Sequence, residues 1–98
     1  MSSAYLRNQN QAPVGSFTAT PTGGGKVQLN GSGSYDPEGG ALSYKWYDGS
    51  TFSGATQIGT GQTCSCSAVS TGNRTIWLQV TDSSGLTSTP VSQAVTVS

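Results

Sequence analysis

From Pro13 onward the chain keeps to short runs of alternating apolar and polar residues, broken about every ten residues by Gly, Pro, Asn or Asp, and this pattern constrains its fold most. Period-two alternation belongs to strands, whose successive side chains point to opposite faces. The predicted strands are Val14–Thr20, Lys26–Asn30, Leu42–Tyr47, Gln57–Gly59, Thr63–Ala68, Asn73–Thr81 and Val91–Val97. That arrangement predicts an all-β protein, an antiparallel β-sandwich of about seven strands, rather than a helical or βαβ fold. The loops Thr22-Gly23-Gly24-Gly25 and Asp48-Gly49-Ser50 read as hairpin-type connections. Residues 1–12 have no clear period and read as an N-terminal tail or linker, leaving 13–98 as one domain.

Alternation also sorts the side chains by face. Phe17 with Ala19, Val27 with Leu29, Leu42 with Tyr44 and Trp46, Ile76 with Leu78 and Val80, and Val91 with Val95 and Val97 form five inward sets. These are the predicted core. Outward on the sixth strand stand Trp77 and Gln79, and outward on the third stand Lys45 and Tyr47. If those strands are neighbours, Lys45, Tyr47 and Trp77 form one surface patch, suited to stacking on a sugar ring or to burial in a protein interface. The structural alternative is an aromatic cross-strand pair that stiffens the sheet.

Charge and size limit the function further. Of 98 residues 8% are charged and the formal net charge is zero, so no basic stripe exists to neutralise phosphates or to dock on an anionic membrane. No apolar run approaches the roughly 18 residues of a membrane helix, and none follows Met1 as a signal peptide would. The chain is then a piece of a longer secreted protein or a small protein without an export signal. A surface of Ser, Thr, Gly, Asn and Gln in place of Lys and Glu accords with secreted bacterial modules and predicts an extracellular or cell-surface location. Catalysis is not expected: the chain has no His, no nucleophile elbow and no phosphate loop, and only Asp36 and Glu38 of its four carboxylates share a turn.

Several separated pieces carry a family resemblance. Asn10-Gln11-Ala12-Pro13-Val14-Gly15-Ser16-Phe17, Leu29-Asn30-Gly31-Ser32-Gly33-Ser34-Tyr35-Asp36, Leu42-Ser43-Tyr44-Lys45-Trp46 and Leu78-Gln79-Val80-Thr81-Asp82 follow in this order, and together the chain from about Asn10 to Val97 resembles the polycystic kidney disease (PKD) domain. It departs from that pattern at Tyr47-Asp48-Gly49-Ser50 and at Trp77, where a polar residue is more usual. The resemblance implies an immunoglobulin-like sandwich acting as an extracellular spacer and binding unit. In some such domains calcium binds between loops, and carried over to this chain the candidate ligands are Asn10, Gln11, Asp36, Glu38 and Asp82. Calcium takes six to eight hard oxygens, so all these loops would have to converge at one end of the sandwich. The local alternative is that Asp36 and Asp82 serve their own turns.

Cys64 and Cys66 are the only cysteines, separated by one residue and therefore on one face of a strand. They read as small buried hydrophobes facing the core, as an exposed or intermolecular pair, or as a strained internal disulfide. With no His, two thiols fall short of a four-ligand zinc site. Asn30-Gly31-Ser32 and Asn73-Arg74-Thr75 fit the N-glycosylation pattern, which Gly/Ser-rich loops generate freely. The expected role is a non-catalytic PKD-like spacer and protein-interaction unit, including the exposed domain of a surface filament or pilin-like protein. The alternatives are a small decoration or assembly protein on a particle surface and a carbohydrate-binding accessory of a secreted hydrolase. Partners are then neighbouring domains, subunits or polysaccharide, with no nucleic acid and no membrane insertion.

Overall fold

Strands form where alternation is strictest and stop where Gly, Pro or an Asp turn interrupts it. A computed structural model describes residues 12–37 and 39–98. Its strands are β1 (Thr18–Gly23), β2 (Lys26–Asn30), β3 (Leu42–Asp48), β4 (Thr56–Thr60), β5 (Thr63–Ser67), β6 (Gly72–Asp82) and β7 (Val91–Val97). They pair antiparallel into a three-stranded sheet, β1-β2-β5, and a four-stranded sheet, β4-β3-β6-β7. The fold is an all-β sandwich with no helix among the described residues. Residues 1–11 of the expected tail lie outside the described residues.

Two strand limits differ visibly from the sequence reading. β1 starts at Thr18 rather than Val14, which makes only an isolated bridge to Tyr35. Pro21, which cannot donate to a ladder, is accommodated because β1 is an edge strand, and the register shifts just after it. β3 runs through Asp48, so Asp48 ends a strand rather than opening a tight hairpin.

The inward faces meet in one cluster: Phe17, Val27, Leu29, Trp46, Cys66, Ile76, Leu78, Val80, Val95 and Val97 are buried. Burying a Val, Leu or Ile side chain contributes about 1.5–3 kcal/mol, and this cluster is the main source of stability. Trp46 is wholly buried, meets Phe17 edge-on with centroids 5.1 Å apart, and donates its Nε1–H to the carbonyl of Gly61 at 2.7 Å. Leu42 and Tyr44 depart from the predicted core and are only half-buried. The cause is the strand beside them: the β4 ladder with β3 ends at Lys45↔Thr60, so the start of β3 has no paired strand on that side.

A charged pair closes the other end. Asp48 and Arg74 share the inward face with Trp46 and Ile76. Arg74 Nε lies 3.0 Å and Nη2 3.0 Å from Asp48 Oδ1, and Asp48 Oδ2 accepts the backbone N–H of Val69 at 2.7 Å. The Asp48 side chain is fully buried and the Arg74 side chain 24% exposed. The two changes that break the pair are therefore unequal. Asp48→Ala leaves a guanidinium that can rehydrate, whereas Arg74→Met leaves a buried carboxylate with no counter-charge. Urea unfolding is expected to show a loss of about 3–5 kcal/mol for Arg74→Met and a clearly smaller one for Asp48→Ala.

Candidate functional site

Opposite the core, the outer face of the four-stranded sheet is built by the same alternation. Lys45 and Tyr47 of β3 face outward, paired with Gln79 and Trp77 of β6: Tyr47↔Trp77 and Lys45↔Gln79 are direct cross-strand partners. On the other flank Tyr47 pairs with Gln57 and Lys45 with Thr60, both exposed. The strand adjacency on which the predicted patch depended is therefore present.

The patch is nevertheless differently composed. Lys45 is exposed, but Tyr47 and Trp77 are half-buried, because Phe52 from the loop between β3 and β4 lies over both. Its ring centroid is 4.9 Å from Tyr47, edge-on, and 5.9 Å from Trp77, tilted. Offset and edge contacts of this kind are favoured by the ring quadrupoles and contribute about 0.5–1.5 kcal/mol beyond area burial. The loop is turned back by local contacts. Trp77 Nε1–H donates to the carbonyl of Gly49 at 2.8 Å, and Ala55 N–H donates to the carbonyl of Phe52 at 3.1 Å. A Cβ on Gly49 would stand 2.7 Å from Ala55 Cα, so only glycine permits this closure.

Phe52 was absent from the sequence reading. Its only signal was a lone aromatic in the polar stretch Gly49–Gly54, and no periodicity reaches into a loop. The resulting site is an aromatic trio, Tyr47, Phe52 and Trp77, flanked by one cation and neutral amides and hydroxyls. Next to it, between Leu42–Lys45 of β3 and Thr60–Gln62, runs a groove of about 600 Å³. Such a face can stack and desolvate a ligand. It carries no acid, base or nucleophile pair.

The proposed calcium ligands divide into two groups. Asn10, Gln11 and Glu38 lie outside the described residues. Asp36 and Asp82 are buried, and their loops do approach one another: a Cβ on Gly40 would stand 2.6 Å from Asp36 Oδ2 and 3.7 Å from Ser83 Oγ. Each carboxylate serves its own turn. Asp36 Oδ2 accepts the Gly40 N–H at 3.1 Å, while Asp82 Oδ1 accepts Ser84 N–H at 2.9 Å, Ser84 Oγ–H at 2.8 Å and Leu86 N–H at 3.0 Å. Among the described residues no three His, Cys, Asp or Glu side chains converge, so these residues alone do not make the six to eight oxygen ligands calcium takes. Asp82→Ala is expected to cost about 1–3 kcal/mol by unpairing three donors, and equally in EDTA and in millimolar calcium. A melting temperature that calcium raises in the parent chain and not in the variant would instead assign an ion to these loops.

Of the three arrangements the sequence left open for the cysteines, the structure has the internal disulfide. Cys64 and Cys66 face the core side of β5 and are joined to each other by a disulfide, with Cα atoms 5.3 Å apart. That separation lies within the span a disulfide bridges, because β5 is contracted there below the roughly 6.6 Å of two extended residues.

Comparison with known proteins agrees with this architecture. The family model described as K319L-like, PKD domain, matches residues 18–97. Among solved structures, the PKD1 domain of Vibrio anguillarum Epp is 30% identical, with 91% of this chain and 96% of that one covered and a TM-score of 0.67. A structure described in terms of the promiscuous specificity of carbohydrate-binding modules of the β-sandwich superfamily is 26% identical over 92% of this chain and 36% of its own, with a TM-score of 0.69. A nucleoside hydrolase-related protein of Saccharophagus degradans, described as associated with carbohydrate metabolism, shares the fold at 22% identity over 91% of this chain and 26% of its own, with a TM-score of 0.65. No curated protein matches the chain by sequence.

Proposed function

The chain belongs to the K319L-like PKD domain family, and on that premise we propose that it is a non-catalytic β-sandwich module of an extracellular or cell-surface protein, serving as a spacer and as a protein-interaction unit. The carrying observation is the aromatic trio Tyr47, Phe52 and Trp77 on the outer face of the four-stranded sheet. Aromatic anchors surrounded by neutral polar groups are the composition that dominates protein-interface energetics, since each ring buries a large area at little entropic cost. β3 backs the site along its whole length through its pairing with β6, so the rings are presented from a rigid ladder. A spacer also benefits from a surface nearly free of charge, which neither repels nor attracts its neighbours. The exposed domain of a surface filament or pilin-like protein is one setting that uses both properties.

A second reading, polysaccharide binding, is favoured by one observation: a solved neighbour at 26% identity, matched over 36% of its length, comes from a structure described in terms of carbohydrate-binding modules of the β-sandwich superfamily. The same trio would then stack on sugar rings.

One experiment separates the two. A photo-crosslinking residue at Gln57, beside Tyr47, is compared on intact cells with one at Gln28 on the outer face of the other sheet, and retention on insoluble cellulose and chitin is measured in parallel. The leading reading expects protein adducts from position 57 that fall at least about tenfold in Trp77→Ala, with no glycan retention. Retention lost in Trp77→Ala and Phe52→Ala would transfer the site to polysaccharide. Neither adduct nor retention would leave the trio as a stiffening element of the sheet.

A further inference from the structure

The Cys64–Cys66 disulfide lies away from the outer face and has no part in the proposed interaction. We propose that it is a redox-active site, reduced in the folded protein by a dithiol, and that its state sets how firmly the β4–β5 corner is seated on the sandwich.

Four observations combine. First, the bridge joins residues two apart in one strand. The stabilisation a disulfide gives by restricting the unfolded chain grows with loop length, so a ring enclosing a single residue contributes least of all, and the fold does not depend on it. Second, the two residues are unequally exposed: Cys64 is half-buried and Cys66 is 3% exposed. An incoming thiolate therefore meets Cys64 before Cys66. Third, both sulfurs rest on β4 of the opposite sheet. A Cβ placed on Gly59 would be 2.5 Å from Cys64 Sγ and 2.6 Å from Cys66 Sγ, so the absence of a side chain there is what seats the bridge. Fourth, this seat adjoins the corner where the chain leaves one sheet for the other, and the buried Trp46 donates to Gly61 in that corner.

The chemistry balances with the dithiol as reductant. One of its thiolates attacks Cys64 Sγ, forming a mixed disulfide while the Cys64–Cys66 bond breaks and Cys66 leaves as a thiolate that takes up a proton. The second thiol of the reductant then attacks its own sulfur in the mixed disulfide, releasing Cys64, which is likewise protonated. Two electrons and two protons pass to the protein, and the dithiol becomes a cyclic disulfide. Freed of the bridge, β5 relaxes from a 5.3 Å Cα separation toward the roughly 6.6 Å of an extended strand. The thiols move to van der Waals separation, and what they press on is Gly59. β4 yields, because it is an edge strand held only by β3.

The test is dithiothreitol treatment of the native chain without denaturant, read by thiol labelling and by amide hydrogen exchange. Expected are two labelled thiols per chain, exchange accelerated by roughly tenfold or more across Ile58–Cys66, and exchange within β6 and β7 unchanged. Cys64→Ala/Cys66→Ala is expected to fold and to show the same exchange with and without dithiothreitol. Gly59→Ala is expected to give fast exchange across Ile58–Cys66 with the disulfide intact. A disulfide that reduces only once urea has unfolded the chain overturns the proposal, as does reduction that leaves exchange across Ile58–Cys66 unchanged or accelerates exchange everywhere.

Discussion

Everything in this sandwich is arranged around the side chain of Trp46. It fills the gap between the sheets with no solvent exposure, meets Phe17 edge-on, and spends its one polar atom on the carbonyl of Gly61. That hydrogen bond settles a conflict inherent in any sandwich. A strand that changes sheet must leave backbone groups unpaired, and buried unpaired groups are costly. Here the indole N–H serves the carbonyl at the corner, while Gly61 N–H returns to the carbonyl of Tyr44 at 3.2 Å. The crossing from β4 to β5 is thereby tied to the centre of β3.

The consequence appears one residue further along. Because Trp46 is fixed inward, Tyr47 is fixed outward, and its cross-strand partner Trp77 follows. The pairing of β3 with β4 shifts register between Trp46 and Tyr47, which inserts Ile58 as an extra residue and turns it toward the core. The aromatic face and the core are thus two sides of one register. A substitution that slipped β3 by a residue would exchange them, which is why the aromatic face and the core cannot be altered independently.

Much of this was legible in the residues. Period-two alternation in Lys26–Asn30, Asn73–Thr81 and Val91–Val97 placed strands within about a residue of where they lie, because a half-buried strand has to alternate. The inward sets gave Phe17, Leu29, Trp46, Ile76, Leu78, Val80 and Val95, all of them buried. Less legible was anything that depends on where a neighbouring strand ends. Leu42 and Tyr44 have the right spacing for the core and remain half-buried, since β4 stops short of them. Asp48 looked like a turn residue and is instead the buried partner of Arg74, a contact across 26 positions of sequence that no local pattern encodes. Phe52 lies in a loop, where periodicity carries no information.

What the sequence by itself determined is the class of fold, the order of the strands and which side of each strand faces inward, because these follow from side-chain alternation and turn chemistry, both local properties. What only the tertiary structure decided is which side chains meet. Phe52 covers Tyr47 and Trp77, Asp48 finds Arg74, and Cys64 bonds to Cys66 over the bare backbone of Gly59. Each of these depends on the distance between segments remote in the chain, or, for the cysteines, on a contraction of β5 seated against another sheet. Close packing sets such distances, and packing is a property of the whole assembled core rather than of any one segment.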